Sequence, residues 1–385
     1  MKKVLYIGST IGNRNSAMRL HAVNTAHILR MISYETTFVC YGNVTEKTDY
    51  EDDFEFHYAE MPHDMIRSYI EKLTNVSLWN TFKKMASKIK PDIVILYGVE
   101  PELRVIRYCK KNRILCFLEK VDWFERRDRK SFFNKIVFQN KVDLCYRKID
   151  FMADGIISIS PYLQNYFENN GMRTVFIPPT FDKLYYPHAY CREPNQVTSI
   201  VYAGSLGGGK DSILPAIQAV MSINSDDVKI SFHLIGITEA EVAAVIPGYS
   251  QGKNGIVTYG RISHDEVIKT LYRCDFSLLL RENRRYAKAG FSTKFAESMF
   301  CGVPVIATAV GGADSLIKSG ENGFLIQDNS VDSLSRIFRL LLSLNNEEIQ
   351  KIKDNAFSMG AVFFLCESYK DKLSAFVSNV ARTCR

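Results

Sequence analysis

The feature that most constrains this sequence is a regular alternation of short apolar runs with longer amphipathic stretches. Runs such as VLYIG (4–8), DIVILYG (92–98) and SIVYAG (199–204) are apolar at nearly every position. A strand buried on both faces has this composition, whereas a strand with one solvated face alternates polar and apolar residues. The pattern therefore predicts an α/β protein with parallel, doubly wound sheets that carry helices on both faces.

The alternation occurs twice along the 385 residues, which predicts two Rossmann-like domains. The segment IPPTFDKLYYPHAYCREPNQV lies between the two sets, is rich in Pro, Tyr and polar residues, and has neither a helical nor a strand period. We predict an N-terminal domain at 1–180, a linker at 181–197, a C-terminal domain at 198–360 and a final helix within 361–385 that packs back on the first domain. Ligands of doubly wound sheets bind beyond the carboxyl ends of the strands, so we expect the site in a cleft that the two domains face.

Composition and spacing exclude several classes of protein. No apolar run reaches the roughly 18 to 20 residues that cross a bilayer, and the opening MKKVLYIG turns polar at Ser9 too early for a secretory signal. The nine cysteines form no CxxC pair and the seven histidines form no HxH or HExxH spacing, which argues against a zinc site, a disulfide framework or metal catalysis. We therefore expect a cytoplasmic protein with reduced thiols and no metal ligand set.

The formal charge of +7 is concentrated in residues 120–148, which hold nine Lys or Arg against four Asp or Glu, with Trp123, Phe132 and Phe138 among the charges. Such a segment is typical of a helix that lies on an anionic membrane surface. The alternative is an amphipathic helix packed on its own domain. Nucleic-acid binding is disfavoured because the basic residues are confined to one segment and no nucleic-acid-binding motif accompanies them.

The loop YAGSLGGGKD (202–211) combines four glycines with Lys210. Exposed backbone amides, a following helix N-terminus and a lysine together favour a bound phosphate. Asp211 stands where the P-loop has Ser or Thr, so a magnesium-dependent NTPase is disfavoured. The alternative is a plain surface turn.

A second loop, RRYAKAGFSTKFAESMFCGVPVIATAVGG (284–312), places Gly290 and the good N-cap residues Ser292 and Thr293 before a helix predicted near 293–301. The free amides at that helix start favour an anion. Glu297 follows one turn later, and its two acceptor oxygens suit a vicinal diol such as a ribose. A solvent-facing helix residue is the alternative for Glu297.

A third loop, YGRISHDE (259–266), places Gly260 and Arg261 at the end of a strand, where backbone amides can face a nucleotide base. The alternative is a helix-capping turn in which Ser263 is the N-cap.

Together these segments resemble the nucleotide-sugar domain of a retaining glycosyltransferase of the GT-B fold, in glycosyltransferase family four. The resemblance covers most of the chain and is strongest over 199–326. The motifs that support it are the three loops above and, in the first half, ISISPYLQNYFENNG followed by VFIPPTFD.

The resemblance implies roles for particular residues. Lys210 lies at the spacing of the family's diphosphate-binding lysine, while Ser205 replaces its arginine, and we expect Arg281 to supply the missing contact. Glu297 matches the second of two glutamates that have seven residues between them, the ribose-binding acid, and Ala289 stands at the first. The implied catalytic residues are Lys210, Arg281 and Glu297. The implied donor-binding residues are Gly204, Ser205, Gly209, Lys210, Arg261, Gly290, Phe291, Ser292, Thr293 and Glu297.

The implied reaction moves a sugar, with retention, from a nucleotide-diphosphate donor, UDP or GDP, to a glycan or lipid-linked acceptor in bacterial cell-surface polysaccharide assembly. The family needs no divalent metal and no cofactor besides the donor. The acceptor-side candidates in the first domain are Gly12, Arg19, His21, Glu119 and Asp122. For the two acids the alternative is a surface helix cap.

Three other classes of protein are alternatives. A nicotinamide-dependent dehydrogenase is disfavoured because Gly8-Ser-Thr-Ile-Gly12 departs from the GxGxxG spacing. A GT-B sugar-nucleotide epimerase shares the two-domain architecture. A non-catalytic subunit that binds a sugar nucleotide or glycan is compatible with Ser205 and Ala289.

Overall fold

The described part of the chain contains two β-sheets in which nearly all strand pairs are parallel. The computed structural model describes residues 1–13, 16–42, 48–51, 53–98, 103–125, 134–182, 197–206 and 211–383. The chain forms two units, of which the first comprises Met1–Thr180 with Cys366–Arg385 and the second comprises Phe181–Leu365.

Within the described residues, the sheet of the first unit has eight strands in the order β3-β4-β2-β1-β5-β6-β7-β8, and every pairing except β3 with β4 is parallel. The strands are β1 (Lys2–Gly8), β2 (Tyr34–Tyr41), β3 (Thr48–Glu51), β4 (Phe54–Ala59), β5 (Ile93–Tyr97), β6 (Leu115–Lys120), β7 (Gly155–Ser158) and β8 (Thr174–Phe176). All five residues of β5 are buried, as the continuous apolar run predicts.

The helices of the first unit cover this sheet. They are α1 (Ala17–Met31), α2 (Met65–Thr74), α3 (Val76–Ile89), α4 (Leu103–Asn112), α5 (Gln139–Leu144) and α6 (Pro161–Glu168). Two π-helical turns, Asn134–Phe138 and Cys145–Ile149, extend α5 at its two ends. α1 begins at its N-cap Ser16, whose side chain accepts a hydrogen bond from the Arg19 backbone N–H.

The helical pattern of residues 64–89 predicts one helix, but the chain forms two helices there. Asn75 adopts left-handed backbone angles (φ 49°, ψ 37°), a conformation that asparagine tolerates better than most residues and that ends α2. Tyr41 donates hydrogen bonds to Glu71 Oε1 at 2.6 Å and to Asn75 Oδ1 at 3.2 Å, which holds the break against β2.

In its described part, the second unit has a fully parallel sheet of six strands in the order β11-β10-β9-β12-β13-β14. The strands are β9 (Thr198–Ala203), β10 (Ile230–Ile235), β11 (Ile256–Gly260), β12 (Phe276–Leu279), β13 (Val305–Thr308) and β14 (Gly323–Ile326). The helices are α7 (Leu214–Ile223), α8 (Glu239–Val245), α9 (His264–Arg273), α10 (Arg285–Ala289), α11 (Thr293–Phe300), α12 (Ala313–Leu316), α13 (Val331–Leu342) and α14 (Asn346–Phe363).

The chain returns to the first unit after Leu365 and ends there in α15 (Lys370–Thr383). Phe376 of this helix packs its ring 5.1 Å from that of Phe117 in β6. The final helix predicted within 361–385 corresponds to α15, which begins only at Lys370 because α14 continues to Phe363. Most of the predicted linker, 183–196, lies outside the described residues.

Candidate functional site

A cluster of charged side chains lies at the carboxyl edge of the second sheet, where β9 and β12 are neighbours but their connections leave in opposite directions. Arg281 lies just beyond β12, and Asp211 forms an isolated antiparallel bridge with it. Thr308, the last residue of β13, accepts the Arg281 backbone N–H at 3.0 Å and donates to the Arg281 carbonyl at 2.7 Å. In doubly wound sheets such a switch point is the usual place for a ligand.

Asp211 is a buried carboxylate that holds two cations. Lys294 Nζ lies 2.5 Å from Asp211 Oδ2, and Arg281 Nε donates to Oδ1 at 3.3 Å, while the hydroxyl of Tyr202 donates to Oδ2 at 3.2 Å. Burial by itself raises the pKa of Asp211, but the charges of Lys294 and Arg281 outweigh it and hold the pKa below its ordinary value. The cluster of one anion and two cations therefore carries net positive charge.

The two cations differ in access to solvent. The side chain of Arg281 is 10% exposed and that of Lys294 is 35% exposed. The ammonium group of Lys294 also lies 4.8 Å from the centre of the Tyr202 ring, within cation–π range. Lys294 is thus the cation of this cluster that an approaching anion meets first.

The helix predicted near 293–301 is confirmed as α11, and its start lies at this cluster. Ser292 is the N-cap and its hydroxyl accepts the backbone N–H of Phe295 at 3.4 Å. Lys294 is the second helical residue, where the helix dipole disfavours a cation unless an anion lies nearby. Asp211 supplies such an anion, and the positive end of the helix dipole favours a further one.

Glu297 lies in the middle of α11 and is only 8% exposed. Its Oε1 lies 2.7 Å from Nε2 of His264, the first residue of α9. The hydrogen bond to Glu297 raises the pKa of His264 above its ordinary value, although partial burial acts in the opposite direction. Glu297 is therefore an acid held by a neighbouring helix, and the alternative of a solvent-facing residue is wrong.

The glycine-rich loop is described only up to Leu206 and again from Asp211. Gly209 and Lys210 lie outside the described residues. A Cβ at Gly204 would lie 2.3 Å from the Tyr202 hydroxyl oxygen, so a larger residue there would displace that side chain. The Gly204 backbone N–H donates to Ile235 O at 2.8 Å. Ser205 is exposed.

The remaining donor-side candidates divide into exposed and packed residues. Arg261 is exposed, and Ser263 caps α9 in a capping box with Glu266, as the alternative for this loop predicts.

Gly290 is buried and donates its backbone N–H to Tyr286 O at 3.0 Å. The ring of Phe291 packs 5.8 Å from that of Phe364, so Phe291 contributes to the core. Thr293 is the first helical residue of α11 and Ala289 is fully buried.

The acceptor-side candidates of the first unit lie largely in its interior. Arg19 is fully buried, with its guanidinium 3.6 Å from the centre of the Phe56 ring. A Cβ at Gly12 would lie 1.6 Å from the carbonyl oxygen of Tyr41, so only glycine fits. The backbone carbonyl of Asp122 accepts a hydrogen bond from the Tyr146 hydroxyl.

Glu119 is fully buried in β6, so its interpretation as a surface helix cap is wrong. His21 Nε2 lies 2.8 Å from Glu119 Oε1, and Thr25 Oγ1 donates to the same oxygen at 2.9 Å. Burial lowers the pKa of His21 to about 4 and raises the pKa of Glu119 well above its ordinary range. The His21 imidazole is therefore neutral near pH 7.

Trp123, the first aromatic residue of the basic segment 120–148, is buried and does not face a membrane. Trp123 is 7% exposed and stacks on Tyr146 at 4.0 Å between ring centres. Residues 126–133, including the densest positive charge, lie outside the described residues. In the described part of the chain, no helix has the length and apolar character needed to cross a membrane, and no group of three or more His, Cys, Asp or Glu side chains is placed to hold a metal ion.

Three residues of the candidate site were not predicted from the sequence, namely Asp211, His264 and Lys294. One signal was present, because Lys294 lies in the first turn of a helix, where a cation is unfavourable without an anionic partner. No comparable signal marked the pairing of His264 with Glu297.

The domain that contains the cluster is similar to known glycosyltransferases. Residues 196–359 match the family model described as glycosyl transferases group 1. Two uncharacterized glycosyltransferases of Methanocaldococcus jannaschii are similar to the chain. The first is 27% identical over 201 residues, which is 52% of each chain, and the second is 28% identical over 121 residues, 31% of this chain and 28% of the relative. The chain thus spans about half the length of the first curated relative and less of the second.

Solved structures confirm the predicted fold class. Sucrose-phosphate synthase from Thermosynechococcus elongatus has a TM-score of 0.76 at 14% identity, with 100% of both chains covered. Anabaena HepE in complex with UDP-glucose has a TM-score of 0.66 at 14% identity, covering 98% of this chain and 100% of that one. The chain therefore has the two Rossmann-like domains of GT-B glycosyltransferases.

Proposed function

We propose that this protein is a retaining, metal-independent glycosyltransferase that uses a nucleotide-diphosphate sugar. The observation that carries the proposal is the net-positive cluster of Asp211, Arg281 and Lys294 beside the start of α11, at the switch point of the second sheet. The group 1 domain match over 196–359 supports the class of reaction.

The donor diphosphate binds at this cluster in our proposal. Lys294, the more exposed cation, contacts the phosphates, and the amides at the start of α11 donate to them. Arg281 is more deeply buried, so its main part is to hold Asp211 while adding positive charge. Ser205 replaces the arginine with which the family contacts the diphosphate, and the sequence predicts that Arg281 supplies this contact instead. In our proposal Lys294 supplies much of it. Lys210 is proposed to reach the diphosphate from the glycine-rich loop.

The nucleoside part binds along the neighbouring elements. Glu297 accepts hydrogen bonds from the ribose hydroxyls, for which two carboxylate oxygens are suited. The backbone around Gly260 and Arg261, at the end of β11, faces the base. UDP is the first nucleotide to try, since HepE was solved with UDP-glucose.

The proposed chemistry needs little covalent assistance from the protein. The bond between the anomeric carbon and the diphosphate oxygen breaks, and its electron pair stays on the diphosphate. The acceptor hydroxyl attacks from the same face, and its proton passes to the departing phosphate. Lys294, Arg281 and the α11 amides stabilise the negative charge that develops, which is usually the largest catalytic effect.

The proposed acceptor is a glycan or lipid-linked sugar at the inner face of the cell membrane, in cell-surface polysaccharide assembly. The described residues offer a docking surface on α2, where Met65 is 84% exposed, Ile66 68% and Ile70 51%. Tyr69 of the same helix packs its ring 6.3 Å from that of Phe138, so α2 lies beside the basic segment 120–148. Apolar side chains next to lysines and arginines suit an anionic bilayer surface.

The test is a screen of UDP-, GDP-, ADP- and CMP-sugars for binding and slow hydrolysis, with EDTA present. Wild type is compared with Lys210→Ala, Lys294→Met and Glu297→Gln, and Lys318→Ala, whose side chain is 77% exposed, is the matched control. We expect one donor to be hydrolysed by wild type and the control only. With an acceptor found, NMR of the product should show the anomeric configuration of the donor, and inversion would contradict the retaining mechanism.

A non-catalytic sugar-nucleotide-binding subunit is the second candidate. It is favoured by Ala289, which is fully buried at the position where family four has its first glutamate. If it is right, a donor binds to the cluster but is neither hydrolysed nor transferred with any acceptor lipid supplied.

A further inference from the structure

His264 and Glu297 join two helices of the second unit. His264 Nε2 lies 2.7 Å from Glu297 Oε1, and the two residues are 33 positions apart. The histidine side chain is 44% exposed and the glutamate side chain 10% exposed. The pair thus reaches from solvent to a nearly buried carboxylate in the middle of α11.

We propose that His264 is a positioning residue of the donor site, which orients the Glu297 carboxylate for the ribose of the nucleotide. The inference rests on the proposed function, because it assigns the ribose to Glu297. It adds a residue that contacts the acid and not the reacting atoms.

The surroundings explain why such a residue is useful. The backbone of α11 is fixed, because Ser298 donates to Ser277 Oγ of β12 at 2.9 Å and Phe295 and Met299 are buried. The glutamate side chain retains several rotatable bonds, whose ordering on ligand binding costs free energy. A hydrogen bond from His264 orders the carboxylate before the ligand arrives.

His264 is itself held in place. It follows Ser263, whose hydroxyl accepts the Glu266 N–H at 3.3 Å while Glu266 Oε2 accepts the Ser263 N–H at 3.0 Å. This capping box fixes the first turn of α9, so the imidazole is presented to Glu297 from a defined backbone position.

The pair also predicts a pH dependence of donor binding. The charged groups that act on His264 are Glu297 of α11 and Asp265 of its own helix. β9, the strand on which α9 packs, carries only neutral residues, and burial raises the pKa of Tyr272 and of Cys301, next to Glu297, so both stay neutral. The protonated imidazole is the stronger donor, and its charge also favours a nearby diphosphate. Binding should therefore weaken as the pH rises through the raised pKa of His264.

The first experiment needs no nucleotide. The full chain is labelled with ¹⁵N-histidine and the imidazole of His264 is titrated by NMR in wild type, Glu297→Gln and the control Glu348→Gln, which changes the capping box of α14. We expect a His264 pKa above 6.5 in wild type, a fall in Glu297→Gln and little change in Glu348→Gln. An unchanged pKa in Glu297→Gln would overturn the pairing.

The second experiment measures binding of UDP-glucose, GDP-glucose and ADP-glucose by calorimetry between pH 5.5 and 8.5, using whichever binds wild type most tightly. The diphosphate of a nucleotide sugar has no terminal phosphate that titrates near pH 6, so the pH dependence reports on the protein. His264→Ala should bind about tenfold more weakly, the effect of one lost hydrogen bond to a charged group. His264→Gln keeps a donor without a titrating charge, so it should restore most of the affinity and abolish the pH dependence. Glu348→Gln, which weakens the capping box that starts α14 and leaves that of α9 intact, should resemble wild type.

The outcomes separate the two proposals. If no nucleotide binds wild type, the proposed function fails and the positioning role fails with it. If wild type binds and His264→Ala has the same affinity and pH profile, the positioning role alone is refuted. Should His264→Ala fail to fold, His264→Gln decides, since a retained pH dependence in that variant contradicts the inference.

Discussion

Lys294 Nζ lies 2.5 Å from Asp211 Oδ2, although the two residues are 83 positions apart. This contact joins the end of the glycine-rich loop to the second residue of α11. It places a lysine at a helix start, where the dipole alone disfavours a cation. Asp211 carries one negative charge and pairs with two cations, Lys294 and Arg281. The excess positive charge favours a further anion at this place.

Replacement of Lys294 by methionine should weaken donor binding about tenfold or more. Methionine keeps most of the stem and its packing but removes the charge that is proposed to meet the phosphates. The measurement is calorimetry with the best-binding nucleotide sugar. Lys318→Met controls for the loss of one positive charge, and equal affinities in the two variants would contradict the role of Lys294.

Replacement of Asp211 by asparagine should lower the free energy of unfolding by about 2 to 3 kcal/mol at pH 7. The change leaves Arg281 and Lys294 facing each other without their anion, at a cost reduced by the partial exposure of Lys294. Urea denaturation of wild type and variant measures the difference.

The same variant tests a pH dependence. Because the folded pKa of Asp211 lies below its ordinary 3.8, its contribution to stability is present above pH 3.8 and is lost as the pH falls through the folded pKa. The difference between wild type and Asp211→Asn should therefore shrink in acid. A constant difference down to pH 2.5 would show that ion pairing is not the cause.

His21 should make the first unit sensitive to mild acid. Its folded pKa of about 4 lies below the ordinary 6.5, so the unfolded chain binds a proton that the folded chain excludes between these values. Stability present above pH 6.5 should be lost progressively towards pH 4, by about 3 kcal/mol. Unfolding of wild type and His21→Gln across this range measures it, and parallel pH curves would exclude His21 as the source.

The apolar face of α2 should contribute to membrane binding. The double substitution Ile66→Ser and Ile70→Ser should reduce binding to phosphatidylglycerol vesicles about tenfold or more, since each isoleucine buries apolar area in the bilayer surface. Val228→Ser, in the second unit and 48% exposed before substitution, is the matched control. Vesicle sedimentation that does not distinguish the two would remove α2 from the membrane proposal.

Charge in the basic segment is tested separately. Arg126, Arg127 and Arg129 are changed together to serine, and binding is measured at low and at physiological salt. A loss confined to anionic vesicles and low salt is expected for an electrostatic contribution. Unchanged binding would mean that the segment takes no part.

The apolar strands determined the fold class from the sequence alone. A run such as IVILY in β5 is buried on both faces in any parallel sheet, so composition suffices to identify it. The short edge strands β3 and β8 were not predicted, because edge strands are shorter and less apolar. The break at Asn75 was missed because a single left-handed residue leaves the helical pattern on either side intact.

The start of α11 was likewise determined locally, since a Ser292 N-cap acts on amides two to three residues away. The partners of the site were decided only by tertiary structure. Asp211 pairs with Lys294, and His264 pairs with Glu297. These contacts form because the carboxyl ends of β9 and β12 and the first turns of the helices α9 and α11 lie at the same edge of the sheet. Local sequence encodes hydrogen bonds and capping within a few residues, whereas a contact over 83 or 33 positions depends on the order of strands in the sheet.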